Sequence, residues 1–362
     1  MVFLRVIVFT AGLLLVIATL VSVIRSIVLP RGAPEALSRA VFVFVRSIFL
    51  LRMRWMHSFD EKDRLMALFA PVAVLLLLPV WLAMVLLGFA GMFWAVGVSS
   101  PLTAIRESGS SLLTLGFVPV EGMIQAALAF SEAAIGLILV ALLIAYLPSM
   151  YAAFARRETA VSLLEVRAGT PPSAVQMIER YYRIHGLDRL REQWVTWEMW
   201  FTDIEESHTS LAALSFFRSP LPGRSWNTAA GAVLDAAALT WAAVDVPTTP
   251  EAALCIRAGY LALRNIADLF GIRYHPAPQF PDQPISIRRA EFDAVCDHLA
   301  SAGVPLKPDR EQAWLDFAGW RVNYDAVLLG LCGLVMPPYA PWSSDRAPAL
   351  GKLPLFASRS KG

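Results

Sequence analysis

The chain has 362 residues, of which 57% are hydrophobic and only 17% charged, and its mean hydropathy is +0.55. Soluble domains carry about 25% charged residues, so this balance excludes disordered and fibrous classes and points to lipid or to an unusually buried chain. A formal net charge of +2 excludes a strongly basic nucleic-acid binder, but it averages two unlike regions: Met1 to Arg64 holds nine Lys/Arg against four Asp/Glu, and Ser149 to Gly362 holds 21 against 22.

The apolar residues are concentrated. Val6 to Ile24 is a charge-free run of 19 residues, and it is too long for a signal-peptide h-region, with no small-residue cleavage site before Arg25. Residues 1–30 are therefore expected to form an N-terminal transmembrane helix, with the span itself at about Val6 to Leu29. The connection that follows carries Arg31, Arg39, Arg46, Arg52, Arg54, Lys62 and Arg64, which the positive-inside rule places in the cytoplasm. Within residues 31–64, Val41 to Met56 is apolar but punctuated by arginines, and Arg39, Arg46 and Arg54 share a helical face. That pattern predicts an amphipathic helix lying in the cytoplasmic interface.

Leu65 to Ile105 is free of charge for 41 residues and contains a second span at about residues 65–98. A third span, residues 123–147, ends near Pro148 and is followed by Arg156 and Arg157, again a cytoplasmic signal. Pro148 is expected to end or bend this helix. The second span starts inside and the third must start outside, so residues 99–122 begin and end on the outer side. This stretch opens with Ser99-Ser100-Pro101, a helix-start pattern, and stays helix-compatible to about Leu112, where Thr114-Leu115-Gly116 breaks the periodicity. Twelve helical residues reach about 18 Å, roughly half a bilayer. The reading is a re-entrant helix followed by extended backbone. Such backbone survives at depth only against protein or water, so the chain is expected to be oligomeric with the loops meeting on a shared axis. The helix would aim its partially negative end inward, which favours a cation.

At these residues the sequence resembles the potassium-channel pore-loop superfamily, in particular the small bacterial type with two helices flanking a pore loop. Ser108-Gly109-Ser110-Ser111-Leu112-Leu113-Thr114-Leu115-Gly116-Phe117 is similar to the end of the family's pore helix and the first half of its TVGYG-type filter, and Glu132-Ala133-Ala134-Ile135-Gly136-Leu137 matches an E-A-x-x-G stretch of its inner helix. The resemblance covers about Leu65 to Glu158. It implies a pore domain over residues 65–148, with an outer helix at 65–98, pore helix and filter at 99–119 and inner helix at 123–147. It further implies a selectivity filter at Thr114, Leu115, Gly116, Phe117 and Val118, a gating hinge at Gly136, monovalent cations (K+ or Na+) as the transported species, and a homotetramer. Filter carbonyls replace an ion's hydration shell, and aligning them requires alternating backbone handedness, which glycine accepts cheaply. The second filter glycine of the family is replaced by Val118 and the following acid by Pro119. A β-branched residue at positive φ is costly, so the outer ion sites are expected to be remodelled. That affects potassium selectivity more than cation conduction.

Glu132 lies about nine residues inside the third span, where a charge demands a partner; it is expected to brace the filter through the pore-loop backbone. Arg106 and Glu107 are expected to form an external or inter-subunit contact. From Ser149 the punctuation is helical. Thr170-Pro171-Pro172 with Gly186, Thr249-Pro250-Glu251 with Gly271, and Asp309 with Gln312 mark three helices, the last running to about Met336. This predicts an all-α cytoplasmic domain over residues 149–336 and a loosely ordered Pro-rich tail over 337–362. Chemistry is sparse there. Glu205-Glu206-Ser207-His208 reads as a solvated helix end, Trp194, Trp197 and Trp200 as packing, and Cys255, Cys296 and Cys332 as free buried thiols. Cys296 with His298 offers at most two metal ligands. No catalytic centre, metal site, cofactor or nucleic-acid surface is expected. The sequence thus predicts an all-α multi-pass protein of the cell membrane, in the lipid bilayer, with a cytoplasmic C-terminal domain. Its function is that of an oligomeric potassium-channel-like monovalent-cation channel, or alternatively of a non-conducting receptor or scaffold that kept the pore-loop fold.

Overall fold

The computed structural model describes residues 2–29 and 36–348; Arg31 and the end of the tail beyond residue 348 lie outside the described residues. Among the described residues the fold is helical, and the only bridge between extended segments pairs Val244 with Leu306. Three helices are long and apolar enough to cross a membrane: Val2–Ile27, Asp60–Ala95 and Met123–Ala168. The chain divides into two compact units, one comprising Met1–Trp55 with Leu68–Ala152 and the other Met56–Ala67 with Ala153–Gly362.

In the first unit, α1 (Val2–Val23) continues as a π-helical turn over Ile24–Val28. It packs along α4 (Phe69–Ala95). The two backbones meet at Gly12 and Gly88, where a Cβ on Gly12 would stand 2.4 Å from the Gly88 carbonyl oxygen. Only a residue without a side chain permits that approach. Trp81 adds a polar tie by donating its indole N–H to Ser22 Oγ at 3.2 Å. α2 (Ala36–Met53) packs Phe42 and Phe49 edge-on against Phe69, the first residue of α4. α5 (Pro101–Leu112) follows α4, and the part of α6 (Met123–Ala168) up to Ala152 completes the unit.

Of the two outcomes expected at Pro148, an end to α6 does not occur. The helix runs through it for 46 residues and carries Arg156, Arg157 and Glu158 in the second unit. A proline removes one amide donor and crowds the preceding turn, at a cost of about 3 kcal/mol, and a helix anchored on both sides by packed residues absorbs that.

The second unit surrounds α9 (Trp226–Ala243), which is buried along nearly its whole length. Its alanines let α7 (Ala174–Arg183), α10 (Pro250–Leu269), α12 (Arg310–Arg321) and α13 (Asp325–Val335) pack closely, while α8 (Leu190–Ser210) packs on α10. The α7 cap is Ser173 rather than Thr170, and Thr249 and Asp309 precede α10 and α12 as read from the sequence. The predicted helix from Asp309 to Met336 is two helices. Asn323 turns its amide onto the carbonyls of Gly319 and Trp320, and this local bonding replaces the helical ladder. The segment 337–348 is not a loose tail. Trp342 and Ser343 are buried, and the Trp342 carbonyl accepts a 2.7 Å bond from Arg321. The same guanidinium bonds Asp235 at 2.5 Å and Asp325 at 2.7 Å, and Tyr324 donates to Asp235 at 2.9 Å. α3 (Phe59–Ala67) joins this unit through an ion pair of Asp63 with Arg218, which also reaches the Val335 and Met336 carbonyls at the end of α13.

His208 is fully buried, not at a solvated helix end. Its Nε2 lies 3.2 Å from Nη1 of Arg157, and Arg157 also donates to the carbonyls of Leu214 and Phe217 at 2.9 and 2.7 Å and to Glu158 at 2.9 Å. Arginine offers only donors, so Nε2 accepts and the imidazole is neutral. Burial, reinforced by Arg157, lowers its pKa well below the ordinary 6.5. Trp197 and Trp200 stack edge-on with centroids 4.5 Å apart in the core, and Cys255, Cys296 and Cys332 are free and buried. His298 bonds Glu179 at 2.7 Å.

Two outcomes follow from this packing. Replacing Gly12 or Gly88 by valine forces α1 from α4 and is expected to cost about 1–3 kcal/mol, visible as a lower thermal midpoint in detergent; an unchanged midpoint would contradict the close approach. Because His208 has a folded-state pKa below its unfolded value, its contribution is complete above pH 6.5 and is lost as pH falls below it, by about 1.4 kcal/mol per pH unit. His208→Gln keeps an acceptor for Arg157 and should flatten the stability profile between pH 7 and 5 relative to wild type.

Candidate functional site

The site begins at α5. Ser100 caps the helix by accepting the Thr103 N–H at 3.1 Å, and Pro101 occupies the first turn, where a missing N–H costs nothing. Twelve residues later the backbone leaves the helix, and Thr114 takes φ +53° and Gly116 φ +66°, so left-handed residues alternate across Leu115. A β-branched residue at positive φ stores about 1–3 kcal/mol of strain. Ser110 holds the strained segment. Its carbonyl accepts the Leu115 N–H at 2.8 Å, and its Oγ accepts the N–H groups of Phe117 at 3.0 Å and Val118 at 3.3 Å. Val118 is not in the left-handed region, in keeping with the cost of positive φ for a β-branched residue, and its N–H is taken by Ser110. Leu113, Leu115 and Phe117 are 53%, 61% and 56% exposed on the single chain, so the loop presents an uncovered apolar surface.

Behind this loop one hydroxyl connects three helices. Ser108 Oγ on α5 lies 2.5 Å from Glu132 Oε1 on α6 and 2.9 Å from the Leu86 carbonyl oxygen on α4. A serine has one proton to give, and a carbonyl can only accept. Both contacts are satisfied together when the Glu132 carboxyl is protonated and donates to Ser108, which donates to Leu86. Glu132 was expected to reach the loop backbone; its partner is this side chain, and Ser110 takes the loop. Glu107 is buried rather than external, and one oxygen each of Glu107 and Glu132 has no partner among the described residues. Arg106 is exposed.

Gly136 sits where α6 crosses the end of α5. A Cβ there would stand 2.3 Å from the Leu112 carbonyl oxygen, so close approach alone requires glycine. The structure thus brings Glu132 and Gly136 against α5, with Thr114 to Val118 directly beyond it. Ser108 and Ser110 were not singled out from the sequence. The available signal was three serines, Ser108, Ser110 and Ser111, crowded into the last turns of one short helix, where serine is a poor helix former. Among the described residues no three His, Cys, Asp or Glu side chains group as a metal site. Comparison of the chain with family models, with curated proteins and with solved structures finds no match.

The proton count at Ser108 distinguishes two substitutions. Glu132→Gln retains a donor for Ser108 and should keep near-wild-type thermal stability, whereas Glu132→Ala removes it and opens a cavity, with an expected loss of about 1–3 kcal/mol. Equal losses in both variants, measured by thermal unfolding in detergent, would rule out the protonated arrangement.

Proposed function

We propose that the protein is an oligomeric, potassium-channel-like membrane protein that passes monovalent cations, with Thr114 to Val118 as its filter. The observation that carries this reading is the strained segment after α5, with left-handed Thr114 and Gly116 alternating across Leu115 and tied back to Ser110. Regular structure gives no reason to hold a threonine there, whereas a filter needs successive carbonyls turned to one side. α5 on this reading is re-entrant from the outer face, and the partial negative charge at its C-terminal end faces the cation. The exposed Leu113, Leu115 and Phe117 are what a tetramer would cover around a shared axis. The Ser108 to Glu132 bond braces the pore helix against the inner helix, and Gly136, as the hinge, would have to release its packing on Leu112 to move the inner helix.

The test is ion flux from vesicles loaded with potassium or sodium and containing the purified full chain. Wild-type protein is expected to pass both ions, Thr114→Ala to change the ratio between them, and Gly116→Ala, which forces a side chain to φ +66°, to reduce flux. Absence of flux across voltage, pH and tension, or a monomer in solution, would overturn the channel reading.

A further inference from the structure

Two of the three long apolar helices continue into the second unit. α6 enters it at Ala153, and α4 is preceded, across Leu68 alone, by α3 of that unit. Both continuations are tied to one short segment, Leu214 to Arg218. From α6, Arg157 donates to the carbonyls of Leu214 and Phe217 at 2.9 and 2.7 Å. Phe154, one turn earlier on α6, meets the Phe217 ring edge-on with centroids 5.9 Å apart. From α3, Asp63 forms its ion pair with Arg218, the residue that follows Phe217. The two ties therefore sit on adjacent residues of the segment.

The segment is too firmly held to yield by itself. Leu214, Ser215, Phe216 and Phe217 are buried, whereas connections ordinarily run over the surface. Besides the two bonds from Arg157, the Ser215 carbonyl accepts the Trp226 indole N–H at 3.1 Å, and Arg218 Nη2 holds the Val335 and Met336 carbonyls at 3.1 and 2.8 Å. Buried backbone bonded in this way belongs to the stable end of local opening. The two ties differ in strength. Arg157 is wholly buried and spreads its donors over Leu214, Phe217, Glu158 and His208, so releasing it leaves several buried groups unpaired. The α3 tie is one ion pair, and its Asp63 side chain is 17% exposed, so water can take over the carboxylate.

We propose that Leu214 to Arg218 is a strap that locks the continuations of α4 and α6 together, with the Asp63 to Arg218 pair as its latch. A displacement of α6 relative to α3 has to break either the latch or the bonds of Arg157, and the latch is the weaker. Packed interfaces switch between discrete arrangements rather than deform continuously, so the latch is closed or open. The consequence for function rests on the channel reading: with α4 as outer and α6 as inner helix, a closed latch opposes the movement of the inner helix that opens a pore.

The experiment places spin labels on the full chain at the exposed positions Glu61→Cys of α3 and Thr159→Cys of α6 and reads their separation by pulsed dipolar spectroscopy. Cys255, Cys296 and Cys332 are buried and stay unlabelled, and dilution into unlabelled chain restricts the reading to one copy. The otherwise wild-type protein is expected to show one narrow separation. Asp63→Ala, which keeps a strong helix former in α3, is expected to raise the population at other separations about tenfold. Asp63→Glu, which retains a carboxylate for Arg218, should stay closer to wild type. A distribution in Asp63→Ala equal to wild type would overturn the proposal, and so would a broad one without that change, which needs no destabilised variant. In vesicles, Asp63→Ala is expected to raise cation flux by a comparable factor, and equal flux from two conducting proteins would reject the lock. If the wild type passes no ions, the channel reading fails while the separations still decide the strap.

Discussion

The Ser108 hydroxyl is the point on which the apolar unit depends. It touches the Leu86 carbonyl on α4 and the Glu132 carboxyl on α6 while itself belonging to α5. Apolar side chains are as content against lipid as against one another, so helices in a membrane gain little from hydrophobic contact alone. A hydrogen-bonded chain across three helices supplies the directional contact that packing lacks. The close approaches at Gly12 with Gly88 and at Gly136 with Leu112 then bring the backbones near enough for dispersion to act along their length. With α5 fixed, Ser110 two residues further on is fixed too, and the strained turn at Thr114 is held by it.

The second unit uses the opposite arrangement. Its polar groups are buried deep inside, with Arg321 between Asp235 and Asp325 and Arg157 between His208, Glu158 and two carbonyls. Each guanidinium has several of its donors used, which makes burial of the charge tolerable. Arg157 belongs to the same continuous helix that carries Glu132 and Gly136. The residue thus ties the far end of α6 to the 211–217 segment through the Leu214 and Phe217 carbonyls.

Much of the architecture is legible in the sequence because it follows from composition along the chain. The charge-free runs give three long apolar helices, Ser100-Pro101 gives the start of α5, and Thr249 and Asp309 stand at the starts of α10 and α12. The misreadings share a cause. The proline's intrinsic preference allowed α6 to end at Pro148, but the helix is continuous there. His208 was read by its acidic neighbours in sequence, but its spatial neighbour is Arg157, 51 residues away. Asn323 was overlooked as a helix breaker, and the Pro-rich segment 337–348 was read as loose although Arg321 binds it.

The sequence by itself determined the class of the protein: helical, apolar enough to cross a membrane three times, and divided between an apolar and a near-neutral half. These properties depend on the order and hydropathy of neighbouring residues, which the chain carries locally. Only the tertiary structure decided that Ser108 and Ser110 organise the candidate site, that Thr114 takes a left-handed conformation, and that His208 meets Arg157. Hydrogen-bond partners are properties of space, set by which helices meet, and no spacing along one chain contains them.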